Sequence, residues 1–216
     1  MIKAVIFDMD GTTVDTITSI AYFANDALKK FGYNEVETEK YYTFVGNGPK
    51  NLFCSLIEYV NGDLNKVDEV LNYYLSEYNN NPLYLAKPYD GIVDMLEGLK
   101  NKGIKTAIIS NKQDEAVKVI NKELFGGIIE IAEGTKPDVA RKPAPDSLLN
   151  TMKALGVEKD EVLFVGDTDV DMITAKNAGV KSIGVLWGFR DEEELRTNGA
   201  DYIVSHPKEI LDIAGE

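Results

Sequence analysis

The chain opens on a short apolar run, Ala4-Val5-Ile6-Phe7, that stops at an aspartate. A brief apolar run bounded by a polar turn predicts a buried strand. After Val14 the period changes. Ile17, Ile20, Ala21, Ala24, Ala27, Leu28 and Phe31 recur at three- and four-residue steps, and Gly32 follows as a stop, which predicts an amphipathic helix. A second helix is expected from Pro49, a favoured first position, with Leu52, Phe53, Leu56, Ile57 and Val60 along its stripe. A third carries Val67, Val70, Leu71, Tyr74 and Tyr78 and ends at Asn79-Asn80-Asn81-Pro82. No strand pattern interrupts residues 16–80.

From Pro88 onward the pattern alternates. A helix through Ile92, Met95, Leu96 and Leu99 precedes a strand at 104–109, and a helix at 113–125 follows. A helix through Leu148, Leu149, Met152 and Leu155 precedes a strand at 162–165. A helix at 170–178 leads through Gly179 to a strand at 181–187, and a last strand, Ala200 to Val204, precedes a helix at 207–214. Strands and helices alternating over short connections predict an α/β fold with a doubly wound, mainly parallel sheet. The expected organisation is a discontinuous core, 1–15 plus 87–216, with an inserted α-helical cap, 16–86.

Three of the predicted strands end in polar residues. The first ends at Asp8-Met9-Asp10-Gly11-Thr12-Thr13, the second at Ser110-Asn111-Lys112, the third at Gly166-Asp167-Thr168-Asp169-Val170-Asp171. Between the last two lies Arg141-Lys142-Pro143-Ala144-Pro145. In open α/β sheets ligands bind at the carboxyl ends of the strands, so these segments can converge on one site. Two carboxylates beside a glycine and hydroxyls can hold a divalent cation, attack a phosphorus and protonate a leaving group.

This set resembles the haloacid dehalogenase-like hydrolases, whose pattern is D-x-D-G-T, a strand ending in Ser or Thr, a Lys, and an acidic G-D-x-x-x-D loop. All four parts stand here in order and span nearly the whole chain. Within that superfamily the chain looks most like the phosphoglycolate phosphatase group, on Val45-Gly46-Asn47-Gly48, Trp187-Gly188-Phe189-Arg190 with Glu194-Leu195, and Gly199-Ala200-Asp201-Tyr202.

The resemblance implies a role for each part. Asp8 is the expected nucleophile, forming an acyl phosphate that water cleaves. Asp10 is the expected general acid and base, and its backbone carbonyl is expected to face the metal. The implied metal is Mg²⁺, a hard cation that takes oxygen ligands. Asp8, Asp10 and Asp167 are its expected ligands, and Asp171, one helical turn beyond Asp167, either joins them or holds Lys142. Ser110 and Lys142 are expected to bind the phosphoryl oxygens, with backbone N–H groups near Gly11 as further donors and Asn111 as an orienting residue. Lys112 is an alternative phosphate lysine, although the family places that role in the later Lys-Pro segment. In the cap, Asn47 and Lys50 are the specificity candidates if the 45–48 turn lowers into the site. Asp169 is expected to be exposed or to cap a helix, and Trp187 and Arg190 have no assigned role.

Charge narrows the partners. A net charge of −13 argues against nucleic acid, which needs a basic footprint. A phosphatase substrate is itself an anion, so a bound cation and local lysines must invert the field inside the site. No stretch approaches the length of a membrane span. The single Cys54 excludes an internal disulfide and is expected to be a buried, inert thiol. The lone His206 stands at a helix entrance, so a zinc site is not expected. The expectation is a cytoplasmic monomer or homodimer that hydrolyses a small phosphorylated metabolite, phosphoglycolate first. Pyrophosphate, sugar phosphates and nucleotides are alternative substrates. A β-phosphoglucomutase-like isomerase is disfavoured because residues 16–86 contain no Arg, and a non-catalytic binding protein because Asp8, Asp10 and Lys142 are all present.

Overall fold

A computed structural model describes residues 1–215. Its centre is strand β1 (Ala4–Phe7), which alternates between two faces as the period of a strand requires. Val5 and Phe7 join one apolar cluster, and Ala4 and Ile6 join another. β1 lies between β4 (Lys105–Gln113) and β6 (Val162–Gly166), pairing in parallel with both. The sheet is completed by β5 (Ile131–Thr135) on one edge and by β7 (Lys181–Val185) and β8 (Tyr202–Val204) on the other, in the order β5-β4-β1-β6-β7-β8. Every pairing in it is parallel.

Helices cover both faces. On the Val5 and Phe7 side lie α5 (Ile92–Asn101), α6 (Asp114–Phe125) and α10 (Pro207–Ile213), contributing Ile92, Met95, Val117, Ile120 and Ile210. On the Ala4 and Ile6 side lie α7 (Asp146–Leu155) and α8 (Asp169–Ala178), contributing Leu148, Met152 and Ala178. A short helix α9 (Glu192–Thr197) packs against β7, β8 and α8.

The segment between β1 and α5 forms a separate helical layer. It holds α1 (Ile17–Lys30), α2 (Thr38–Phe44), α3 (Gly48–Tyr59) and α4 (Val67–Asn80) around Leu28, Tyr41, Phe53, Leu56 and Val70. That cluster also takes in Ala116 and Phe189 from the sheet side, so the layer rests on the carboxyl ends of the strands. Where the chain enters and leaves the layer, β2 (Val14–Asp15) and β3 (Lys87–Pro88) pair as a two-residue antiparallel ribbon.

Several elements differ from the sequence expectation. The ribbon is too short to show a period. Helix α2 is seven residues long and buries only Tyr41, so it has no stripe. β5 is an edge strand whose residues are all half-buried, and α9 follows an acidic run that gives no apolar signal. β4 continues to Gln113 instead of ending at Ile109, because Gln113 pairs with Thr135 of β5 beyond an irregularity. Cys54 is half-buried at the edge of the helical cluster rather than buried.

Candidate active site

Parallel register sets the site. Phe7 stands level with Ile108 and Val165, so the residues just past each strand position share one edge of the sheet. The Asp8 N–H donates to the Val165 carbonyl at 2.8 Å, which carries the pairing one residue further. Asp8, Ser110 and Asp167 are thereby brought together from segments far apart in sequence.

Asp8, Asp167 and Asp171 are all buried, and each offers a carboxylate oxygen within 4.8 Å of the others. Lys142 lies among them. Its Nζ is 2.9 Å from Asp8 Oδ1 and 2.7 Å from Asp171 Oδ1. The other oxygen of Asp171 accepts from the Thr168 N–H and hydroxyl, so Asp171 anchors Lys142 from the first turn of α8. Thr168, not Asp169, caps that helix; Asp169 is half-buried, 3.9 Å from Arg190.

Burial governs the charge states. It pushes the Asp8 carboxyl up to about 7, against the opposing pull of Lys142 and with further help from Asp171. Asp167 is raised as well, by burial first and then by the charges of Asp171 and Asp8. Burial opposes the charge on Lys142, but Asp171 and Asp8 outweigh it and hold the ammonium above its ordinary range.

The turn after β1 is packed around Asp167. Thr12 donates to Asp167 Oδ1 at 2.7 Å, and the Phe189 N–H donates to Oδ2 at 2.9 Å. Trp187 Nε1 donates to the Thr12 carbonyl at 2.9 Å and pins the turn from the end of β7. A side chain on Gly11 would put its Cβ 2.2 Å from Asp167 Oδ2, and one on Gly188 would put it 2.3 Å from Asp167 Cβ. Gly11 also has φ +87°, a conformation L residues rarely adopt. Four of the backbone donors near Gly11 are used within the turn. The Gly11 N–H donates to Val14, and those of Thr12, Thr13 and Val14 donate to Met9. Gly11 makes room for Asp167 instead.

Asp10 faces elsewhere. Its carboxylate lies outside the three-carboxylate cluster and accepts from Lys112 Nζ at 2.8 and 3.0 Å. Burial opposes the Lys112 charge too, and Asp10 more than compensates, raising its pKa. The ammonium also lies 4.5 Å from the centre of the Tyr78 ring, on α4. Lys112 and Lys142 thus both reach the site, each on a different aspartate.

The space between atoms in the cleft above these groups, open solvent at its mouth included, comes to about 610 Å³. Asp8, Asp10, Ser110, Asn111 and Lys112 line its floor. From the helical layer come Ile20, Leu52, Tyr74, Tyr78 and the glycines of the 45–48 turn. Asn111 joins floor and roof, donating to the Lys142 carbonyl at 3.0 Å and to the Gly46 carbonyl at 3.3 Å. Arg190 ties the same turn down. It donates to the Val45 carbonyl at 3.0 Å and to that of Tyr42, and is braced by Glu194 at 3.0 Å. The two cap candidates are not brought to the cleft. Asn47 is exposed on the far side of its turn, and Lys50 pairs with Asp68 on the surface. The residues that sequence reasoning missed here are Thr12, Thr168 and Phe189, together with Trp187 and Arg190, which it left without a role. The Trp-Gly-Phe-Arg run was the available signal, since Trp and Arg beside a strand end have hydrogen bonds to make.

A parallel sheet with acidic and lysine groups gathered at its carboxyl edge, under a helical roof, defines a phosphoryl-handling α/β enzyme. The sequence profile of the haloacid dehalogenase-like hydrolases matches residues 5–185, and the chain belongs to that family. It is 33% identical to a phosphoglycolate phosphatase of Aquifex aeolicus, over 97% of this chain and 95% of that one. It is 30% identical to a provisionally named pyrophosphatase of Clostridium perfringens, over 99% and 97%. A crystal structure from Lactobacillus delbrueckii subsp. bulgaricus, provisionally named a phosphoglycolate phosphatase, superposes with a TM-score of 0.93 at 33% identity, covering 99% of both chains. The chain is a phosphatase of this family. No helix among the described residues is long and apolar enough to cross a membrane.

Proposed function

We propose that this phosphatase hydrolyses small phosphorylated metabolites, phosphoglycolate first, with Asp8 as nucleophile and Mg²⁺ as cofactor. One observation carries the proposal. Asp8 stands at the cleft floor, in contact with Lys142, with Asp167 and Asp171 at its back.

The donor set suits a hard divalent cation. Asp8, Asp10, Asp167 and Asp171 face only Lys112 and Lys142, which leaves an excess of negative charge in a buried place. Burial otherwise opposes that excess, raising the pKa of Asp8 and of Asp167. All three clustered ligands are carboxylate oxygens, the chemistry Mg²⁺ prefers. Asp8 and Asp167 would hold the ion, the Asp10 carbonyl completing the set, while Asp171 is occupied by Lys142 and Thr168. When bound, the ion screens the phosphoryl charge from the aspartates.

The residues then divide the work. Asp8 attacks phosphorus and carries the phosphoryl group as an aspartyl phosphate. Lys142 and Ser110 bind the equatorial oxygens, where the transition state spreads its charge. Asp10 protonates the leaving oxygen and then deprotonates the attacking water. We also take residues 16–86 to act as one cap, closing through the Arg190 and Asn111 contacts and keeping bulk water out. A cleft roofed by the helical layer suits small metabolites rather than folded protein or duplex nucleic acid.

The test is phosphate release with Mg²⁺ from phosphoglycolate, pyrophosphate, sugar phosphates and nucleoside monophosphates. Turnover is expected to be Mg²⁺-dependent and to fall by about three orders of magnitude or more in Asp8→Asn. A folded protein that releases phosphate from none of them, or an Asp8→Asn variant as active as wild type, would overturn the proposal.

A further inference from the structure

We propose that Lys112 forms a second anion subsite beside the phosphoryl position. It would select substrates that carry another negative group, a carboxylate or a second phosphoryl, close to the ester. This rests on the phosphatase mechanism above and specifies its substrate class.

Lys112 is the one cationic side chain lining the cleft among the described residues. Lys142 lies below, committed to Asp8 and Asp171. The Lys112 side chain is 7% exposed and its ammonium gives two N–H groups to Asp10. An ammonium has three donors, so one remains. The cleft is lined by Leu52, Tyr74, Leu75 and Tyr78 on one side and by the neutral polar groups of Asn79, Asn111 and Gln113 on another, with no second cation among the described residues.

The pairing creates a conflict that a substrate must resolve. Asp10 cannot keep both Lys112 N–H groups and also reach the leaving oxygen. If Asp10 turns to the ester, the buried ammonium is left without a counter-ion, which is strongly unfavourable. An anionic group on the substrate takes the place of Asp10 and frees it for the leaving group. A neutral substrate offers no such exchange.

A second observation points to the same place. The hydroxyl of Tyr78, whose ring carries the Lys112 ammonium, is buried within reach of that ammonium and of the Ser19 hydroxyl. A phenol hydroxyl beside a cation is a donor suited to an oxyanion. The spacing limits the ligand. Asp8 and Asp10 are two residues apart, at most about 7 Å between Cα atoms, so the second anion sits only a few bonds from the phosphorus.

The test compares kcat/KM with Mg²⁺ for phosphoglycolate, pyrophosphate and 2-hydroxyethyl phosphate, whose far end is neutral. The enzymes are wild type, Lys112→Met and Lys112→Arg. Wild type is expected to prefer at least one of the two anionic substrates by about tenfold or more, as sites built to pair a polar group do. Preference for phosphoglycolate identifies a carboxylate subsite, and preference for pyrophosphate a phosphoryl one. In Lys112→Met the preference should collapse, mainly through KM, and Lys112→Arg should retain it. An equal loss on all three substrates in Lys112→Met, with the preference intact, means Lys112 only positions Asp10 and overturns the subsite. Wild type that turns over all three alike overturns it without any variant having to fold. No turnover of any ester overturns the phosphatase mechanism and the subsite with it.

Discussion

On the sheet side of the cleft, charged groups are fixed by one another. Lys142 spans Asp8 and Asp171, Lys112 takes both oxygens of Asp10, and Asp167 is held by Thr12 and Phe189. On the helical side, the wall is Ile20, Leu52, Tyr74 and Tyr78, and what it offers the floor is backbone carbonyls, those of Tyr42, Val45 and Gly46. Around Asp8 the sheet side is therefore preorganised for chemistry, and Asp10 alone has to leave its partner when substrate arrives. The helical side meets it through hydrogen bonds from Arg190 and Asn111 and through the packing of Phe189 and Ala116 into the helical cluster. Reactivity and access are built from different materials.

The largest expected effect comes from breaking the charged side. Lys142→Met leaves Asp8, Asp167 and Asp171 buried without their cation. Removing one partner of such a network costs about 3–5 kcal/mol, and activity should be lost with it. A urea midpoint equal to wild type would show that the network is not needed for stability. Next comes the joint between the two sides. Arg190→Ala removes two bonds to the 42–45 carbonyls and should cost about 1–2 kcal/mol while raising KM several-fold. Steady-state kinetics with unaltered KM would uncouple that contact from closure. The smallest effect is expected on the outside of the helical layer. Lys50→Ala removes a surface pair with Asp68 and should shift stability by less than about 0.5 kcal/mol, with kcat/KM within about twofold. A tenfold fall would return Lys50 to the site.

The contrast also explains what could be read from the sequence. β1 and β6 are fully buried, and so is the run Ala107-Ile108-Ile109 of β4, so their apolar runs are unbroken and the polar residues after them stand out. Asp8, Ser110 and Asp167 were visible for that reason, and Lys142 through the Lys-Pro segment of the family pattern. Asp10 was visible too, but not its direction: nothing local reveals that it faces Lys112, 102 residues away. The helical wall was legible as helices and not as a site. The stripes of α1, α3 and α4 name the residues that pack, whereas Asn47 and Lys50, chosen for their polarity in a glycine turn, point outward because the turn meets the cleft through its backbone. β5 and α2 escaped because an edge strand and a seven-residue helix bury too little to impose a period.

The two-residue ribbon of β2 and β3 has a consequence for how such a protein can change. Paired strands lie about 5 Å apart, so the chain leaves the sheet side at Asp15 and returns at Lys87 almost where it left. A segment whose ends meet can be lengthened, shortened or replaced without moving its host, as insertions at close-set termini generally can. Asp8, Asp10, Ser110, Lys112, Lys142 and Asp167 all lie outside that segment. Evolution, or a designer, can exchange the whole roof as one cassette and alter which molecules are admitted while leaving the reaction beneath it intact.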